Sequence, residues 1–200
     1  MIFGKIPISP EELVVTLNRL ASKKAEELKL GHSNTAWTYA VKYGLEKMAH
    51  KRHLKQLFTK GNTELAGKKI SEFMLDAVWW LQSRSGNAAL LGVECEWGNP
   101  WDRNCKSRAD CVAVDFEKLL QFKAPMKLMI FQADNAQMRK AIHKILHQYL
   151  HAFQQHVAGE TYVFIEFSAG KCFSYTCEIK RDGRDTSLEL KPMNSESELH

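Results

Sequence analysis

The sequence predicts an α/β fold with a central mixed sheet flanked by helices. Three observations lead there. Residues 72–81 and 88–97 alternate apolar and polar side chains with the two-residue period of a strand. The apolar run 126–132 has strand length and lies between two segments of helical period. The described order then closes on a hairpin, so helices and strands interleave along the chain.

The elements follow in order. Ser9-Pro10-Glu11-Glu12 is a helix start, with Ser9 as N-cap, Pro10 at the first position and Glu12 completing a capping box. This helix is expected to reach about Leu30 and stop at Gly31. A second helix starts at Ser33 or Asn34 and carries the stripe Trp37, Ala40, Val41, Gly44, Leu45 and Met48. Gly61 and Gly67 mark a loop before the strand 72–81. Gln82 to Asn87 reads as the turn of a hairpin into 88–97. Asp115 has the chemistry of an N-cap for a short helix, 116–123, ended by Pro125. Strand, helix and buried strand in succession imply a parallel crossover. A long helix, about 135–157, carries the apolar stripe Met138, Ile142, Ile145, Leu146, Tyr149, Leu150 and Phe153. Strands 161–167 and 171–180 form the last hairpin around Ser168-Ala169-Gly170. Residues 1–182 read as one domain, and the charged, weakly patterned 183–200 as a frayed tail.

Composition narrows the class. No uncharged apolar run has the length of a membrane span, so no membrane partner is expected. The N-terminus lacks the basic and long apolar regions of a signal peptide. The five cysteines are odd in number and contain no Cys-x-x-Cys, which reads as reduced thiols in a cytoplasmic protein. The net charge of +5 is compatible with an acidic partner without requiring one.

Three carboxylates carry the chemistry. Asp76 lies in Phe73-Met-Leu-Asp-Ala-Val-Trp-Trp80, and Glu94 and Glu96 lie in Leu90-Leu-Gly-Val-Glu-Cys-Glu-Trp97. In both strands the odd positions are apolar, so all three carboxylates share the even face. Matching the apolar faces pairs odd with odd residues. A five-residue loop, Ser83 to Asn87, sets Asp76 opposite Glu94, and a slip of two sets it opposite Glu96. Like charges facing across strands are unfavourable, and a divalent cation on oxygen ligands is the usual compensation. Wet-face acids are ordinary in antiparallel sheets. These two, however, sit inside apolar runs, where ionised groups need partners.

Basic residues flank the same region. Lys51, Arg52 and Lys55 precede the strands, and Arg103, Lys106 and Arg108 follow them. Each cluster alone is a common solvated face. Together, around a metal site, they suit a phosphate-bearing substrate. His143, His147 and His151 recur every four residues on the long helix. They read first as flanking the apolar stripe, and as a transition-metal site only second. Trp80 and Trp101 read first as packing residues, with base stacking as the alternative. No phosphate-cradling glycine loop, nucleophile elbow or dinucleotide fingerprint occurs.

An Asp on one strand, Glu-x-Glu on the next, then a helix and a strand, resembles the PD-(D/E)XK nuclease superfamily of restriction endonuclease-like proteins. The resemblance covers about 35–133. It implies a restriction endonuclease-like core, Mg²⁺ (or Mn²⁺) as cofactor, DNA as partner, and room for a homodimer. Asp76 matches the motif's aspartate and Glu94 its acidic position, the two metal ligands. Glu96 stands where lysine is usual, as in some members. In others the lysine has moved to the following helix, where Lys118 is available, although a helical wheel turns it away from Phe116, Leu119 and Leu120. A further acid on the first core helix would be Glu46. Leu75, not proline, precedes Asp76. The expected function is metal-dependent hydrolysis of DNA phosphodiesters, with Glu96 or Lys118 orienting or deprotonating the water. The first alternative is a non-catalytic nucleic-acid-binding or interaction module of the same fold. The second is a metal-binding protein built on the histidine helix.

Overall fold

The computed structural model describes residues 7–27, 34–58, 75–83, 86–97, 105–168, 171–180, 191–192 and 197–198. The chain is an α/β protein and divides into two compact units, residues 1–92 and 93–200, with the boundary inside a strand. Among the described residues no helix is long and apolar enough to cross a membrane.

The first unit opens with α1 (Pro10–Glu27) and α2 (Asn34–Lys51). Ser9 caps α1 by accepting the Glu12 backbone N–H on its hydroxyl at 3.2 Å. The Glu12 carboxylate goes to the Arg52 guanidinium, which also donates to the Pro7 and Met48 carbonyls. Arg52 therefore ties the end of α2 to the start of α1. The two helices approach closely at Gly44, where an added Cβ would lie 2.9 Å from Leu17 Cδ1. Leu13, Val14, Leu17, Ala40, Val41, Leu45 and Met48 fill the core of this pair. His53 closes α2 with φ of 55°, the left-handed turn that follows many helices, while Leu54 N–H returns to the Ala49 carbonyl.

The strand β1 (Lys55–Phe58) follows, an element the sequence reading lacks. It runs antiparallel to β2 (Ala77–Ser83), with Lys55 opposite Trp80 and Gln56 opposite Trp79. The basic residues before it had drawn attention to charge rather than to the short Lys-Gln-Leu-Phe pattern. β3 (Gly86–Glu96) comes next to β2. Two residues separate these strands, not the five from which the facing register of Asp76 and Glu94 was argued. Asp76 itself sits in the bend just before β2 rather than inside a strand.

The second unit begins at Val93, within β3, and continues with α3 (Arg108–Gln121), β4 (Met126–Gln132), α4 (Ala136–Ala152), β5 (Thr161–Ser168) and β6 (Lys171–Glu178). Here α3 starts earlier than expected. Its N-cap is Ser107, whose hydroxyl accepts the Asp110 N–H at 3.2 Å and donates to the Asp110 carboxylate at 2.9 Å. Asp115 is thus a mid-helix residue, not a cap. Ser107-x-x-Asp110 outcompetes it because Ala109, Val112 and Ala113 extend the buried stripe of Phe116, Leu119 and Leu120 by two turns. α4 is capped by Asn135 at 2.8 Å and ends at Ala152, short of the expected Val157. Phe153 N–H makes the last helical bond, and His156 holds the Leu150 carbonyl at 2.8 Å, so the chain turns away.

β4 and β5 are parallel, Met126 to Gln132 against Thr161 to Phe167, joined through α4. β5 and β6 form the expected antiparallel hairpin. This sheet is therefore mixed. The region read as a frayed tail adds β7 (Lys191–Pro192) and β8 (Ser197–Glu198), each paired to β6, whose open edge offers unpaired backbone groups. Leu128, Ile130, Phe131, Val163, Phe164 and Ile165 are buried with Ile142, Leu146 and Leu150 of α4 and Phe116 of α3.

Candidate active site

Glu94 and Lys118 meet in the second unit. The Lys118 ammonium lies 3.5 Å from Glu94 Oε1 and 2.5 Å from Asp115 Oδ1, three residues back on α3. The simple wheel had turned Lys118 away because it counted only the positions that pack. A lysine stem is long enough to lie along the edge of such a stripe and place its head elsewhere. The longer helix also puts Lys118 in the last turn, not the first. Glu94 has a side chain only 4% exposed, deep for an ionised group, while Lys118 remains 38% exposed. Burial works to lower the Lys118 pKa. The hydrogen bond to Asp115 and the charges of Glu94 and Asp115 outweigh it, and the net shift is upward. Lys118 is a cation suited to orienting a substrate or water, not to taking a proton from it. Glu96 is half-buried two residues on in β3.

Asp76 has its own lysine in the first unit. Lys42 of α2, unnoticed in the sequence, donates from Nζ to Asp76 Oδ1 at 3.0 Å. Its side chain is 2% exposed against 22% for Asp76. The Lys42 segment is braced by a relay: Trp79 Nε1 donates to Gln56 Oε1 at 2.8 Å, and Gln56 Nε2 donates to the Lys42 carbonyl at 3.3 Å. Glu46 stands one helical turn after Lys42 and is half-buried. Both carboxylates thus carry a protein ammonium. For the buried Glu94 and the partly exposed Asp76, these lysines are a source of compensation other than a cation.

The basic residues sort into three groups. Lys51, Lys55 and Lys106 are exposed. Arg52 and Arg108 sit in internal pairs, Arg108 with Asp134 at 2.6 Å. Arg103, like Trp101, lies outside the described residues.

Two further ionic clusters in the second unit escaped the sequence reading. Glu166 of β5 is fully buried and receives Arg139 Nε at 2.5 Å and His143 Nε2 at 2.9 Å, both from α4. Burial opposes ionisation of Glu166, but His143 and Arg139 overcome it and lower its pKa. Burial, with the charge of Glu166, pushes the nearby Tyr175 phenol up to about 12. Lys127 of β4 pairs with Glu160 at 3.0 Å and donates to Tyr162 Oη at 2.9 Å, and His156 Nδ1 bonds the same hydroxyl at 3.2 Å. Both charged groups here are 1% exposed, so this cluster is structural. Despite its burial, Glu160 is held below the usual carboxylate range by His156 and Lys127. The same signal that singled out Glu94, a charge inside an apolar run, was present at Lys127 and Glu166.

His143 is thus occupied by a carboxylate, and His147 stacks on His151 with centroids 6.1 Å apart. Among the described residues no three His, Cys, Asp or Glu side chains converge as a metal-holding group. Comparison of the chain with models of known families, with curated proteins and with solved structures finds no match.

Proposed function

We propose that the protein is a metal-dependent phosphodiester hydrolase acting on DNA. The observation that carries this reading is the Lys118 ammonium beside the buried Glu94 carboxylate. It is the pairing expected of a nuclease of the PD-(D/E)XK type whose lysine has moved to the following helix. The succession α2, β1, β2, β3, α3, β4 also suits that core. In this reading Glu94 holds Mg²⁺ or Mn²⁺, with Asp76 as second ligand by its place in the motif alone. Oxygen donors of this kind fit a hard cation that takes one or two carboxylates and keeps its waters. The metal, when bound, supplies Lewis-acid stabilisation of phosphoryl charge. Lys118 adds a fixed positive charge toward the scissile phosphate, and Asp115 keeps it aimed. Lys51, Lys55 and Lys106 attract the polyanion. A cytoplasmic setting accords with five cysteines that form no disulfide among the described residues.

The Lys42–Asp76 pair favours a second reading, a non-catalytic nucleic-acid-binding module of the same architecture. There the lysines stand in for the cation, and the sites are ion pairs only. One panel separates the two. Single- and double-stranded DNA is incubated with Mg²⁺, Mn²⁺ or chelator, using wild type, Glu94→Gln and Lys118→Met. Metal-dependent cutting lost in both variants supports the hydrolase. DNA binding without cutting in any condition supports the module.

A further inference from the structure

Helix α4 contains no acidic residue between Ala136 and Ala152. By contrast α1 mixes Glu11, Glu12, Glu26 and Glu27 with Arg19, Lys23 and Lys24, as a merely solvated helix does. At 3.6 residues per turn, Lys140, His143, Lys144, His147 and His151 occupy one sector of roughly 100°, and Arg139 flanks it about 40° beyond His143. The buried residues Ile142, Leu146 and Leu150 lie outside it. Lys140, Lys144 and His151 are exposed, and Arg139, His143 and His147 half-buried.

One edge of the sector is built rather than merely charged. Glu166, buried beneath it, takes Arg139 Nε and His143 Nε2 on its two oxygens. The Arg139 guanidinium lies 4.1 Å from the Phe173 ring centroid. A guanidinium held by Nε and stacked on a ring offers its other N–H groups in a fixed plane, the geometry that suits phosphate.

We propose that this sector of α4 binds the phosphate backbone of DNA. From Lys140 to His151 the helix extends about 16 Å, long enough to face several phosphates of a duplex. Charge complementarity selects the partner: a helix face that presents Lys140 and Lys144 beside Arg139, with no acidic residue of its own, matches a polyanion. The inference rests on DNA as partner, but not on hydrolysis.

The test is the salt dependence of binding of the full chain to a short labelled duplex, read by fluorescence anisotropy. Lys140→Gln with Lys144→Gln should lower the slope of log K against log salt by about two units. Both side chains are exposed, so the fold survives. A charge-matched control, Lys23→Gln with Lys123→Gln, should leave the slope near wild type. Binding that depends on α4 without cutting under either metal supports this inference and removes the hydrolase reading. An unchanged slope in the α4 variant, with DNA still bound, overturns the inference and leaves the hydrolase reading standing. No DNA binding, or binding to anionic vesicles instead, also overturns it.

Discussion

Lys118 and Glu94 form a pair that is closed on one side and open on the other: the carboxylate is buried, and the ammonium reaches solvent. In the proposed hydrolase a substrate would therefore approach the cation first. Lys118→Met should reduce DNA hydrolysis by about 100-fold or more, the usual effect of removing one charge-stabilising donor. The stability cost should be about 3 kcal/mol, because the buried Glu94 carboxylate loses this counter-charge. Initial rates and urea unfolding of the same sample check both. An inactive variant that is also largely unfolded would leave the catalytic role without support.

Lys42 and Asp76 invert that asymmetry, because here the lysine is the buried partner. Asp76→Asn takes the Asp76 counter-charge from a buried ammonium and should cost about 3 kcal/mol. Lys42→Met leaves an aspartate that can turn toward water, and should cost less. Equal midpoints for the two variants in urea unfolding would contradict this ordering.

At Gly44 the helices α1 and α2 lie close together. Gly44→Ala gains about 1 kcal/mol of helix propensity. The new methyl meets Leu17 Cδ1 at 2.9 Å in a fully packed place, and overpacking costs about 1–3 kcal/mol. The expected net effect is a loss of stability, relieved when Leu17→Ala is added. A Gly44→Ala protein that melts higher than wild type would show that the Leu17 side chain gives way at little cost.

Glu166 makes stability depend on acid. Its folded pKa is depressed, so its contribution is complete above the unfolded value of about 4.3 and is lost as pH falls through the folded one. Glu166→Gln should be less stable than wild type at neutral pH, and the gap should narrow below about pH 4. Denaturant midpoints across an acid series read this directly. A gap that stays constant from neutral to strong acid would mean that the carboxylate's charge is not what holds Arg139 and His143.

Much of the fold was legible because it depends on local periodicity. The bounds of β4, the β5–β6 hairpin and the stripes of α2 and α4 follow from residue spacing alone. The start of α3 was misread because Asp115 is as good a cap as Ser107 when viewed alone. The choice between them depends on Ala109, Val112 and Ala113 finding a core, which is a tertiary fact. Burial of Glu94 was legible from its apolar neighbours. Its partner Lys118, and Lys42 beside Asp76, were not, since a lysine stem can carry its charge far from where its Cβ points. The five-residue turn failed for a simpler reason: alternation gives the face of a residue but not where a strand ends.

The pair Lys127–Glu160 bears on how the second unit finds its structure. Lys127 lies opposite Tyr162 in the parallel ladder, and its ammonium meets Glu160 and the Tyr162 hydroxyl in a place that excludes water. Met126-Lys-Leu-Met-Ile-Phe and Tyr162-Val-Phe-Ile are otherwise interchangeable runs of apolar side chains, with little to prefer one alignment over its neighbours. Sliding β4 by one residue against β5 would carry the lysine to the opposite face and strand both charges in hydrocarbon. The salt bridge thus adds little to the depth of the native minimum and much to the height of its competitors: it proofreads the alignment of two strands that hydrophobicity alone would let slip.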